Sequence, residues 1–190
     1  MLIPAVEDGL EKLLRSTLPL PVEQGDISFD SPNNTWSAQV NRLTVNLFLY
    51  GVSRSGQPHR GPAQRTNGSG ALERRRALPM VELSYMVSAW AGSTRDEHLL
   101  LGDALARLLA HQVLPAQHTS SALQSSVQLS LADDEKVRPR DVWGGLGGTL
   151  KASFTLLVTV AADAYDWEAE APQVTTVLGT AVPMPAGPRP

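Results

Sequence analysis

Hydrophobic and polar positions alternate along this chain in two rhythms, and the switches between them lay out its elements. Over residues 4–15, Val6, Leu10, Leu13 and Leu14 recur at three- and four-residue intervals, which places them on one face of an α-helix. Pro4 suits the first turn, Glu7 and Asp8 suit the positive end, and Pro19 and Pro21 stop the helix. A short strand at 26–29 is expected next, closed by the turn-forming run Asp30-Ser31-Pro32-Asn33-Asn34. From Arg42 to Gly51 the period becomes two. Leu43, Val45, Leu47 and Leu49 point one way, and Thr44, Asn46, Phe48 and Tyr50 the other. Residues 79–91 repeat this, with Val81, Leu83, Tyr85, Val87 and Ala89 alternating with Met80, Glu82, Ser84, Met86, Ser88 and Trp90.

The helical rhythm returns after Gly92. Ser93 or Thr94 can cap a second helix, with Asp96 and Glu97 in capping-box register and Leu101, Leu105, Leu108 and Leu109 as its expected buried face. Val127, Leu129 and Leu131 define another short strand. A helical turn around 139–143 then precedes the run Gly144 to Gly148. Residues 149–162 form the last strong strand, with Phe154, Leu156, Val158 and Val160 on one face. The order predicts an α/β (α+β) domain: a single mixed sheet with helices packed on a face. The two long strands form an antiparallel pair, and the helix after 79–91 permits a parallel crossover. The expected division is a domain over 1–162, interrupted by a long basic loop at 52–78, and an extended acidic, Pro-rich arm over 163–190.

Composition changes this picture in two places. Apolar residues make up 42% of the chain, enough for a core, and the absence of cysteine excludes a disulfide scaffold and thiolate chemistry. The start of the chain, with Glu7, Asp8 and Glu11, does not read as a secretory signal, and no run approaches a membrane span. The formal net charge of −3 gives no general attraction to nucleic acid. That charge is unevenly placed, however. Segment 52–78 holds Arg54, Arg60, Arg65, Arg74, Arg75 and Arg76 against Glu73, a net of +5. Segment 163–190 holds Asp163, Asp166, Glu168 and Glu170 against Arg189, a net of −3. Irregular segments of opposite sign suggest contact, within a subunit or between neighbours.

Candidate chemistry is sparse. The glycine run lacks phosphate-loop spacing and precedes a strand, so it reads as a tight turn. Ser69 lies in a loop with no strand feeding it. The histidines at 59, 98, 111 and 118 share no metal-ligand spacing, and His111 reads as a favourable contact at a helix C-terminus. Asp133-Asp134-Glu135 reads as a solvated strand exit. The six arginines are the best candidates for binding. With no aromatic residue between Tyr50 and Tyr85, they suit protein better than nucleic acid.

Four stretches stand in an order that resembles one family. They are Ile3-Pro4-Ala5-Val6 with the leucines that follow, Arg42 to Tyr50, Leu83 to Ala91 followed by Asp96 to Gly102, and Trp143 to Gly148. Together, over about residues 2–160, they look like the cap (tail terminator) proteins of extracellular-type contractile injection systems, relatives of the antifeeding-prophage and Photorhabdus virulence-cassette caps. The resemblance implies a cytoplasmic homohexameric ring that ends and anchors inner tube and contractile sheath. Sheath and tube proteins would be its partners, with no catalysis, cofactor, metal, small-molecule substrate, nucleic acid or membrane insertion. Segment 52–78 and the chain after 165 depart from the family pattern. A head–tail or baseplate-side ring component, or a small-ligand-binding α/β domain, are the other readings.

Overall fold

The first helix, α1 (Leu2–Thr17), buries Val6, Leu10, Leu13 and Leu14 completely. Each such side chain contributes about 1.5–3 kcal/mol of burial free energy, so this stripe docks the helix. In the computed structural model, which describes residues 1–20, 23–123, 125–133, 139–147 and 149–170, α1 starts earlier than its pattern predicts. Glu7 and Asp8 therefore sit beyond the first turn, and the N-terminus carries no side-chain cap.

Five strands form the main sheet: β1 (Gly25–Ser28), β2 (Leu43–Arg54), β5 (Met80–Trp90), β6 (Gln128–Leu131) and β7 (Ser153–Ala161). Their order is β1-β2-β5-β7-β6. β1 runs parallel to β2, and the other pairings are antiparallel, so the sheet is mixed as the sequence predicts. β2 and β5 form the expected long antiparallel pair, with Leu47 opposite Val87 and Arg54 opposite Val81. The register shifts between Leu49 and Gly51, leaving Tyr50 as the extra residue of a bulge. Helix α3 (Thr94–Leu109) carries the chain from β5 to β6, which runs parallel to β5 with β7 between them.

The alternation decides the core. Val45, Leu47, Leu83, Tyr85, Val87, Leu156, Val158 and Val160 turn to the side of α1 and α3 and make one cluster with them. Ser93 caps α3, its side chain accepting from Asp96 N at 3.2 Å. The buried face of α3 differs from the expected one: Leu100, Ala104 and Leu108 are buried, while Leu109 is 57% exposed. An α-helix advances 100° per residue, so a stripe centred one position earlier rotates Leu109 to solvent.

The opposite sheet face mixes polar side chains with Met86 and Trp90 and is covered as well. Thr44, Asn46, Ser88, Thr155 and Thr159 are buried there. Asn46 donates through Nδ2 to the Asp30 carbonyl at 2.9 Å. The short helix α2 (Asn34–Ser37), capped by Asn33, and α4 (Pro139–Leu146) bring Trp36 and Trp143 to either side of Trp90, with centroids 5.2 and 6.2 Å away. Trp143 is fully buried and donates to Ser153 Oγ at 3.0 Å. Lys151 lies 4.3 Å over Trp90 and pairs with Glu97 at 2.5 Å. The glycine run is partly helical. Gly144 and Gly145 belong to α4, Gly147 takes φ +65 just past its end, and Gly148 lies outside the described residues.

Candidate functional site

The basic segment is not the irregular loop its composition predicts. β2 runs on to Arg54, and β3 (Ala63–Thr66) and β4 (Leu72–Arg75) form a hairpin, Ala63 opposite Arg75 and Thr66 opposite Leu72. Local chemistry closes its tip. Asn67 Oδ1 accepts from Ser69 N at 3.0 Å and Ala71 N at 2.9 Å, and Gly70 adopts φ +83. The signal was present in Asn67-Gly68-Ser69-Gly70 between two four-residue runs, but the polar strands carry no apolar alternation to flag them.

A third strand, β8 (Glu168–Ala169), pairs antiparallel with β4 and completes a second sheet of order β3-β4-β8. The expected contact between basic and acidic segments is thus made within one chain. Arg75, 6% exposed, donates from Nη1 to Asp163 Oδ1 at 2.7 Å. Arg76 pairs with Glu168 at 3.1 Å and lies 5.9 Å from the Tyr165 ring centre. Trp167 receives two guanidinium groups, Arg65 at 4.3 Å and Arg75 at 4.7 Å. Arg65 also donates to Glu73 at 2.8 Å. Hydrogen bonds from Asn67 and then Arg65 hold the Glu73 carboxyl below the usual glutamate range.

The six candidate arginines therefore separate. Arg65, Arg75 and Arg76 hold the small sheet together. Arg54 lies 2.9 Å from His59 Nε2. Arg60 bonds to Leu78 through its backbone while its side chain is exposed. Arg74 is exposed and lines a groove of about 640 Å³ with Pro62, Gln64, Ala77 and Glu170. Sequence reasoning missed Trp167 and Tyr165 because they lie about 90–100 residues from the arginines they stack on.

The remaining singled-out residues stay apart. His111 Nδ1 lies 2.9 Å from the Arg107 carbonyl at the C-terminal end of α3, His118 Nε2 lies 3.2 Å from Ser16 Oγ, and His98 is exposed. Ser69 donates to Asn67 Oδ1 at 2.7 Å. Asp133 is exposed, and Asp134 and Glu135 lie outside the described residues, as do residues 171–190 of the arm expected over 163–190. Among the described residues no group of three or more His, Cys, Asp and Glu could hold a metal ion, and no helix is long and apolar enough to cross a membrane.

One ionisable pair joins α1 to β5, a half-buried Glu7 on the helix and a buried Tyr85 on the strand. The Tyr85 hydroxyl is buried beside Glu7 without a well-formed hydrogen bond. Burial, then the Glu7 charge, pushes its phenol far above the ordinary value. Burial, then Asp8, raises the Glu7 carboxyl, partly offset by Tyr85.

The whole described fold recurs in tube-ending subunits of contractile particles. The sheath/tube terminator of an extracellular contractile injection system (PVC), in its extended state, superposes with a TM-score of 0.71 at 18% identity, covering 97% of this chain and 64% of that one. The anti-feeding prophage tube-terminating cap gives 0.63 at 17%, covering 94% and 62%. The chain belongs to the Pvc16 N-terminal domain family, whose model matches residues 5–176. It thus spans less than two thirds of either solved relative, and at these identities what is shared is the fold. No curated protein sequence matches it.

Proposed function

We propose that the chain is a cap that ends the inner tube and contractile sheath of a phage-tail-like injection particle. The observation that carries this is a terminator fold recurring over 97% of the chain, together with family membership over 5–176. In this reading the chain forms a homohexameric ring on the last tube and sheath rings, assembled in the cytoplasm. A tube of stacked rings needs an end-piece with one complementary face and no copy of the outgoing face. The main sheet supplies the rigid ring body, and the hairpin supplies a charged projection toward sheath, tube or neighbour. Of the six arginines, Arg54, Arg60 and Arg74 are exposed and in no ion pair among the described residues, and their charge is offered to such a partner. The role is structural, without catalysis. The solved relatives are a terminator and a cap, and the one singled-out histidine that meets a hydroxyl, His118 at 3.2 Å from Ser16 Oγ, does so on the exposed surface with Ser16 already donating to the Leu13 carbonyl.

Deleting the gene is expected to leave sheath–tube assemblies of uncontrolled length or to abolish full-length particles, measured by negative-stain microscopy. Particles of normal length and yield in the deletion strain overturn the assignment.

A further inference from the structure

Segment 163–170 is tied almost wholly to the hairpin. β8 pairs with β4 alone, Asp163 and Glu168 meet Arg75 and Arg76, and Trp167 lies against Arg65 and Arg75. Glu170 closes the far end, its backbone N–H donating to the Leu72 carbonyl at 2.9 Å and its carboxylate accepting from Gln64 at 3.2 Å. The backbone tie to the main sheet is a single bond, Ala162 N–H to the Pro79 carbonyl at 2.8 Å. No residue of 163–170 enters either hydrophobic cluster.

We propose that the β3–β4 hairpin is a receptor site for an acidic, tryptophan-bearing strand, filled by the chain's own 163–170 and able to take the same segment from a second copy. Three features define the ligand. The β4 edge offers backbone bonds to an extended segment. Two guanidinium groups on the hairpin face select an indole. Arg75 and Arg76 select carboxylates on either side of it. Exchange follows from how the segment is held. The Arg76–Glu168 pair is exposed and individually weak, the Arg75–Asp163 pair is buried on its arginine side only, and the main core loses nothing when β8 lifts, so opening is local and does not require unfolding. The bonds remade with a neighbour's segment are the same bonds, and adjacent copies hold each other's segments at high effective concentration. Exchange in a particle rests on the ring proposed above; the receptor itself does not.

The chain lacks cysteine, so introduced thiols report without background. Glu73 faces Ala169 in register. The Glu170–Leu72 bond makes 73/169 the close, non-hydrogen-bonded pair, with Cα atoms about 4.5 Å apart and within disulfide reach. Full-length E73C is mixed with full-length A169C and oxidised. Covalent E73C–A169C dimers are expected. They should fall at least about tenfold when excess synthetic peptide 162–171 is added, or when the A169C chain also carries D163A and W167A, its far-UV circular dichroism staying native. A chain carrying both E73C and A169C that closes internally, while the mixture yields no mixed dimer, overturns exchange. Absence of both internal and mixed disulfides overturns the receptor register itself. Light scattering on the same samples separates this from the cap reading, since mixed dimers without rings count against the ring and leave the receptor standing.

Discussion

In the five-stranded sheet Leu83, Tyr85, Val87, Val158 and Val160 are wholly buried, whereas in the three-stranded sheet Arg75 is the one buried strand residue among those described. The first sheet is stabilised by area removed from water, which is non-directional and strong. The second relies on charge pairs, guanidinium–indole stacking and backbone bonds at positions that, Arg75 apart, are exposed or half-buried, each dependent on geometry. The difference teaches where the molecule can yield. The main sheet is expected to open only with global unfolding, and the small sheet to open alone.

The sharpest way to break that contrast is to damage each sheet in turn. Leu83→Ala removes a side chain at the centre of β5. It should cost about 2–5 kcal/mol, lowering the midpoint of denaturant unfolding for the whole chain. Trp167→Ala should cost about 1–2 kcal/mol, and only locally. Amide exchange at 72–75 and 168–170 should accelerate while β5 and β7 keep their protection. Acceleration across β5 instead would show that the two sheets unfold as one unit. Ser93→Ala removes the cap of α3 and should cost about 1 kcal/mol, read as a lower thermal midpoint with unchanged circular dichroism.

The smallest expected effect is a gain. The Glu7 carboxyl is raised above its ordinary value of 4.5, so its neutral form is favoured in the folded state. The associated stability is present below the unfolded value and lost as pH rises through the folded one. Glu7→Gln should therefore raise Tm at pH 7, by about 1–2 °C given partial exposure of the group, and the gain should vanish below about pH 4.5. A constant difference from pH 4 to pH 8 would assign it to packing instead.

The same contrast explains what could be read from residue order. The main sheet was legible because burial imposes period: Val45, Leu47, Leu83 and Val158 could only alternate as they do. The resemblance to caps rested on those same apolar stretches. The small sheet was not legible as structure, since Gln64, Arg65, Glu73 and Arg74 form strands through backbone pairing and a tight Asn67 turn without a hydrophobic face. Its charges were legible, and with them the attraction between 52–78 and 163–190, of which the structure describes the part up to 170. The partition of the arginines was not. Whether Arg75 is buried and Arg74 exposed is set by which side of β4 receives Trp167, a fact of register between segments far apart in sequence.

Gly9 sets a condition on how the chain is made. A Cβ there would stand 2.6 Å from Leu114 Cδ2 and 3.0 Å from the His118 carbonyl, so the first helix seals against residues more than a hundred positions later. At about 5–20 residues per second of synthesis, the stripe Val6-Leu10-Leu13-Leu14 stays incompletely covered on the ribosome for roughly 5–20 seconds before its last partners emerge. Nascent chains arrested near residue 100 should engage a chaperone through that stripe, and chains arrested with all of β7 outside the exit tunnel should not.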